Sequence, residues 1–297
     1  LRSMPIRFPK IDQQVVIGKF LGALDDKIEL NRRMNETLEA IARAVFKDWF
    51  VDFGPTRRKA AGETDPVAIL GGLLPDPIKS VALAALFPDS FEEGGLPEGW
   101  ELGRAVDLIE FNPKEPLKRG TIAPYLDMAS LPTQGSLASP PIDREFGSGM
   151  RFRNGDALIA RITPCLENGK AAFVDFLDEE TSLGWGSTEF IVLRARPGIA
   201  PEFSYCLVRD PSFKSAAERS MTGTSGRQRA QANALLEFPI ALATPKVHYE
   251  FQILVHAMFE LIKANGQENQ TLSATRDLLL PKLMSGEIRL KDAEDAA

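Results

Sequence analysis

The chain has 297 residues, 44% of them apolar and 26% charged, with a formal net charge of −6. That length and balance fit a folded protein of one to three domains and argue against a disordered chain or a generally basic nucleic-acid binder. No apolar run approaches the roughly 20 residues of a membrane helix, and two cysteines, Cys165 and Cys206, make no disulfide framework, so a cytoplasmic setting with no membrane partner is expected.

The first predicted element is a long helix. No proline occurs between Pro9 and Pro55, and no glycine between Gly22 and Gly54. Apolar residues recur at Ile17, Phe20, Leu24, Ile28, Met34, Leu38, Ile41 and Val45, close to a heptad seam with Asn31 on it. A helix from Asp12 to Phe50 would be about 57 Å long at 1.5 Å per residue. A two-helix coiled coil needs that length, whereas a small globular core does not. The predicted helical segment is 11–51. Residues 52–96 are rich in Pro, Gly and Ala and predict a mostly irregular connector, with one short helix at Val81–Leu86.

Residues 97–243 predict one domain of mixed helix and strand. Ala157–Ile162, Ala171–Val174 and Phe190–Leu193 have strand character, and turns such as Asn154-Gly155-Asp156 and Asn168-Gly169 separate them. Glu202–Val208 and Pro211–Ser220 read as short helices. Residues 244–290 hold a second long helical pattern, with Phe251, Leu254, Met258, Leu261, Leu272 and Leu279 as its apolar positions.

The two helical segments match at a constant offset of 234 residues. Pro5-Ile6 answers Pro239-Ile240, and the stretch NETL at 35–38 answers NQTL at 269–272. Ala23, Ile28, Asn31 and Asn35 answer Ala257, Ile262, Asn265 and Asn269. An internal repeat of this kind predicts two helices packed antiparallel about a pseudo-two-fold axis. Asn31 and Asn265 are expected to meet near that axis, hydrogen-bond to each other and fix the register.

Catalytic patterns are missing. There is no phosphate-binding Gly-x-x-x-x-Gly-Lys loop and no dinucleotide-binding glycine fingerprint. Asn112-Pro113-Lys114 is a superficial echo of a methyltransferase motif. His248 and His256 lack a cysteine or carboxylate cluster nearby and are read as surface or interface residues, not metal ligands. Cys165 has no histidine near it in sequence and is read as an inert thiol. No catalytic, cofactor or metal residue is assigned.

Polar loops remain. Phe213 to Leu236 is locally basic, with Lys214, Arg219, Arg227 and Arg229 against Glu218 alone. The glycine-punctuated stretch Gly223-Thr224-Ser225-Gly226-Arg227-Gln228-Arg229 lies within it. Arg161 sits where a strand runs into a loop, followed by Thr163, with Lys170 beyond. Arginine forks onto guanine O6 and N7, and glutamine pairs with adenine N6 and N7. Both also bind phosphate, which positions without specifying. Solvated surface charge is the plain alternative.

Several stretches together resemble the specificity subunits of type I restriction–modification systems. LGALDDKIELNRRMNETLEAIARAVFKDWFVDF (21–53) is similar to that family's central helix, and LPEGWE (96–101) to the opening of its target recognition domain. RNGDALIARITPCLENGKAAFV (153–174), GTSGRQR (223–229), FPIALATP (238–245) and LLLPKLMSGEIRL (278–290) resemble later parts in order. Family members usually carry two recognition domains; this chain has one complete domain, and residues 1–10 look like the remnant of a preceding segment. Residues 291–297 are taken as a disordered tail.

The resemblance implies an α+β fold, with a recognition domain and two helices in an antiparallel coiled coil. It implies a non-catalytic subunit that reads double-stranded DNA through Arg161, Thr163, Lys170, Thr224, Ser225, Arg227, Gln228 and Arg229, with Tyr125 and Ser130 in addition. It implies methyltransferase subunits that bring S-adenosylmethionine, restriction subunits that bring ATP and Mg, and self-association that supplies a second recognition domain. The alternative is a coiled-coil interaction scaffold whose recognition domain is inactive.

Overall fold

The computed structural model describes residues 9–72, 76–178, 183–224 and 226–289. The expected remnant at 1–10 and the tail at 291–297 lie largely or wholly outside them. In chain order the elements are α1 (Ile11–Phe46), a π-helical turn (Lys47–Val51), α2 (Gly54–Ala60), α3 (Pro66–Ile69), α4 (Pro77–Ala84), β1 (Glu101–Arg104) and α5 (Ala105–Leu108). Strands β2 (Ile109–Phe111), β3 (Ile122–Leu126), β4 (Ile142–Glu145), β5 (Met150–Phe152), β6 (Asp156–Ala160), β7 (Ala171–Phe173), β8 (Gly184–Gly186) and β9 (Phe190–Ala195) follow. The chain continues through α6 (Pro201–Arg209), α7 (Pro211–Arg219), α8 (Ala232–Leu236), β10 (Pro239–Leu242) and α9 (Pro245–Ser285). The fold is α+β, and it divides into two units.

One unit holds α1 up to Thr37 and α9 from Glu260. Ile17, Leu21, Leu279 and Leu283 form its buried apolar cluster, with Leu24 and Met284 packed against it. Ile28, Asn31, Ile262 and Asn265 are buried as well. Steps of three and four along each helix keep these residues on one face, the geometry of a coiled-coil seam. Two expected seam residues are not on it: Met34 and Leu261 are exposed. Each lies one step off the three-four spacing that Asn31, Asn35 and Ile262 follow. A generic apolar residue one position off that spacing faces water.

The asparagine pairing also differs from expectation. Asn31 and Asn265 do not bond each other. Asn31 Nδ2 donates to Asn269 Oδ1 at 3.0 Å and to Glu268 Oε2 at 2.7 Å. Asn265 Nδ2 donates to Asn35 Oδ1 at 2.8 Å. The two Asn–Asn bonds are equivalents under the 234-residue repeat, so the dyad passes between them. Lys27 and Glu268, 3.1 Å apart, and Arg276 and Asp25, 2.6 Å apart, flank the seam with ion pairs.

The other unit runs from Leu38 to Phe259. Its strands form a β1–β10 pair and two four-stranded sheets, ordered β2-β9-β6-β7 and β4-β3-β8-β5. Pairing of β1 with β10, with Glu101 opposite Leu242, joins the start of the recognition segment to its end. β6 is buried throughout because β9 and β7 pair with it on either side, and α6 packs against it. Leu126, Phe152, Leu158, Ala172, Phe190 and Val192 share one core drawn from both sheets.

A second core is aromatic. Phe46, Trp49 and Phe50 meet Phe203 and Phe251 with ring centroids 5.0–6.3 Å apart. Trp100 of LPEGWE joins it, edge-on to Phe53 at 5.8 Å. Tilted and edge-to-face rings are the favoured arrangement for such pairs. His248 is part of this core, stacked on Phe50 at 5.1 Å, which corrects its reading as a surface residue. The rings of Phe50 and Phe203 pack against it there. His256 does lie at the surface, 2.9 Å from the buried Glu202 carboxylate.

The connector is more ordered than its composition suggests. Pro55, Pro66 and Pro77 each stand in the first turn of a helix, and Asp65 and Asp76 cap two of those helices. Proline's fixed φ and missing N–H suit that position. The expected single helix at Val81–Leu86 is instead α4, four residues earlier at its start. Arg58 ties the segment down with a forked pair to Asp48, at 3.0 and 2.5 Å, and a bond to Ile69 O at 2.7 Å.

Candidate nucleic-acid interface

The glycine-punctuated stretch closes into a small hairpin. Thr222 and Arg229 exchange backbone hydrogen bonds at 3.1 and 2.9 Å, and Arg227 N donates to Thr224 O at 3.0 Å. Gly223 has φ +125°, and a Cβ there would stand 3.0 Å from Arg227 O. Only glycine closes so tightly in that conformation.

The far strand of the hairpin pairs with the segment leaving β6. Thr163 N donates to Gln228 O at 3.0 Å, Ala230 N to Arg161 O at 2.7 Å, and Gln228 N to Thr163 Oγ1 at 3.2 Å. This is why the expected strand 157–162 ends at Ala160. Arg161 N still donates to Glu189 O at 2.9 Å, and from the Arg161 carbonyl onward the backbone takes the hairpin as its partner. Arg161, Thr163, Gln228 and Arg229, distant in sequence, are thus brought together.

Their side chains are not equally available. Arg229 is held by Glu189, with Nε 2.9 Å from both carboxylate oxygens and Nη2 2.7 Å from Oε1. The carboxylate holds the guanidinium above its ordinary pKa. Thr163 Oγ1 accepts from Gln228. Arg161 keeps Nε in the interior with no hydrogen-bond partner among the described residues. Arg227 and Thr224 are exposed, Gln228 is half-buried, and Arg227 has no ion-pair partner among the described residues. Ser225 lies outside the described residues.

Lys170, Ser130 and Tyr125 stand differently. Lys170 Nζ donates to Met128 O at 2.7 Å, bracing the 127–130 turn. In that turn Ser130 N and Oγ donate to Asp127 Oδ1 at 2.8 and 2.9 Å, and these bonds, the backbone one first, hold the Asp127 carboxyl below its usual range. Tyr125 belongs to the other four-stranded sheet. It packs on Trp185 at 4.4 Å, with the Arg144 guanidinium 4.8 Å above its ring. It is not among the hairpin residues.

Two residues that matter here escaped the sequence reading. Glu189 precedes a strand, and nothing local marks it as the partner of an arginine 40 positions away. Arg209, at the end of α6, donates to the carbonyls of Thr133 (3.1 Å), Gly169 (2.6 Å), Ala171 (3.1 Å) and Gly135, and to Tyr205 Oη at 2.8 Å. Tyr205 in turn donates to Glu39 on α1 at 2.9 Å. Asn112, the echo of a methyltransferase motif, has a structural post: its backbone N–H and Oδ1 both pair with Val192.

Among the described residues no group of three His, Cys, Asp or Glu side chains is placed to hold a metal ion, and no helix is long and apolar enough to cross a membrane. A braced polar hairpin on an α+β unit, in a chain with heptad-patterned helices at both ends, has the features of a macromolecular recognition protein. The comparisons narrow this class. The chain is 26% identical to the type I restriction enzyme HindI specificity subunit of Haemophilus influenzae, over 96% of this chain and 69% of that one. It is 24% identical to the MjaIX specificity subunit of Methanocaldococcus jannaschii, over 98% and 62%. The crystal structure of a type I S subunit from M. genitalium matches at a TM-score of 0.50 and 15% identity, covering 93% of this chain and 61% of that one. No family profile matches the chain. The chain is thus similar to type I restriction enzyme specificity subunits along nearly all of its length, and spans about two thirds of theirs.

Proposed function

We propose that this chain is the DNA-reading, non-catalytic subunit of a type I restriction–modification complex. The observation that carries the reading is the end-to-end similarity to proteins named as specificity subunits. The hairpin supports it with an exposed arginine and a neighbouring glutamine on a braced backbone. On this reading Arg227 and Gln228 reach base edges or phosphates, Thr224, Thr163 and Arg161 line the approach, and the long helices serve as spacer and docking surface for methyltransferase subunits. S-adenosylmethionine, ATP and Mg belong to the methyltransferase and restriction subunits of the complex, which works in the cytoplasm. Two copies of the recognition unit described above would together read a symmetric site.

The test combines the chain with a type I methyltransferase subunit from the same source and maps methylated adenines on plasmid DNA by single-molecule sequencing. Methylation at a defined motif, lost in Arg227→Ala or Gln228→Ala, is the expected result. A palindromic motif would mean that two copies act together. Co-purification of the subunits without sequence-selective methylation would refute the reading and leave a scaffold.

A further inference from the structure

We infer that Glu189 is a positioning residue for the recognition hairpin, and that Arg229 ties the hairpin down instead of reading DNA. The inference rests on the reading that this hairpin faces DNA. Arg229 has two of its donors on the Glu189 carboxylate, in the planar fork geometry that fixes orientation as well as distance. The carboxylate stands on a rigid base. Glu189 N donates to Ser187 Oγ at 3.1 Å, and Glu189 O accepts from Arg161 N at 2.9 Å. The next residue, Phe190, is buried and opens β9 opposite Ala160.

Arg229 is also where the hairpin closes. Its backbone pairs with Thr222, it bridges to Ile162, and its carbonyl accepts from Gln231 Nε2 at 2.8 Å. One residue therefore carries the hairpin's closure, its junction with the β6 exit and its bond to the sheet. Gln228 and Arg227 are the two residues immediately before it, and any shift of Arg229 shifts them. The electrostatics point the same way. An unpaired carboxylate beside DNA would repel phosphate, whereas the Glu189–Arg229 pair is neutral overall. Arg229 then adds nothing to the salt dependence of binding, while Arg227 adds about one unit of slope.

The experiment uses the full chain with four variants: Glu189→Gln, Arg229→Gln, the swap Glu189→Arg with Arg229→Glu, and Arg227→Ala. Amide hydrogen exchange of Gly226–Ala230 is read in the free protein. Binding is read on a duplex enriched from a random pool by the unmodified chain and on a base-shuffled duplex of the same length. Each single change at 189 or 229 is expected to speed exchange and to cut the preference for the enriched duplex by about tenfold or more, the cost of losing one base contact. Affinity for the shuffled duplex should not fall in Glu189→Gln, and the swap should recover both protection and preference. Unchanged exchange in the single variants would overturn the inference. So would faster exchange with the preference intact, because the pair would then hold the hairpin without aiming it. A separate result, Arg227→Ala leaving both duplexes bound as before, would sink the DNA reading of the hairpin, and the exchange data would still decide whether Glu189 holds it.

Discussion

His248 offers a sharp test of the packing. Its ring is 3% exposed, stacked on Phe50 and edge-on to Phe203 at 5.5 Å, and neither ring nitrogen has a hydrogen-bond partner among the described residues. Burial pushes its pKa down from 6.5 to about 4. A group depressed on folding takes up its proton first in the unfolded chain. Its contribution is therefore fully present above pH 6.5 and is lost as the pH falls towards 4. A shift of this size corresponds to about 3 kcal/mol at the limit, of which about 2 kcal/mol separates pH 7 from pH 4.5. His248→Phe keeps a ring in the slot and removes the proton site. Urea unfolding of both proteins at a series of pH values, followed by tryptophan fluorescence from the adjoining Trp49 and Trp100, gives the difference directly. The variant's advantage should grow by about 2 kcal/mol between pH 7 and pH 4.5. Parallel pH profiles, or the His248 imidazole itself titrating near 6.5 by NMR in the folded protein, would refute the argument.

Three further outcomes follow from named contacts. Asn31→Leu takes the donor away from the half-buried Asn269 Oδ1 and from Glu268 Oε2 and should cost about 1 kcal/mol in urea unfolding. Replacing Asn31, Asn35, Asn265 and Asn269 together by Leu removes the stranded groups, so stability should recover or rise while cysteine cross-linking across the seam reports mixed registers; a single register would show that the asparagines do not set it. Arg209→Met leaves the carbonyls at Thr133, Gly135, Gly169 and Ala171 without their donor, and should cost about 2–4 kcal/mol with faster hydrogen exchange at 133–135 and 169–171; exchange that speeds evenly over the whole domain would argue against a local brace.

Much of the chain organisation was legible because it rests on repetition. Heptad spacing requires no knowledge of distant residues, and the 234-residue offset puts asparagines at corresponding seam positions in both helices. The helices expected at Glu202–Val208 and Pro211–Ser220, observed at Pro201–Arg209 and Pro211–Arg219, were legible through local chemistry, and so was the turn at Gly169. The connector was misjudged for the opposite reason. Its prolines were counted as breakers, although Pro55, Pro66 and Pro77 each open a helix, and the Asp48–Arg58 pair that holds the segment spans ten residues. Met34 and Leu261 were placed on the seam because they are apolar, but the register of the opposing helix leaves them in water.

The candidate site divides in the same way. The sequence alone determined which loop carries glycines, arginines and a glutamine, because turn chemistry and composition are local. It also determined that Arg161 leaves a strand, since the apolar run stops there. Only the tertiary structure decided which of these side chains are available. Glu189 takes Arg229, the Met128 carbonyl takes Lys170, and Trp185 with Arg144 takes Tyr125, all through contacts between residues far apart in the chain. Arg227 is left exposed and Gln228 half-buried, while the hairpin's pairing with Thr163 and its tie to Glu189 take up their neighbours. Availability depends on what a side chain meets, and that is set when strands from different parts of the chain come side by side.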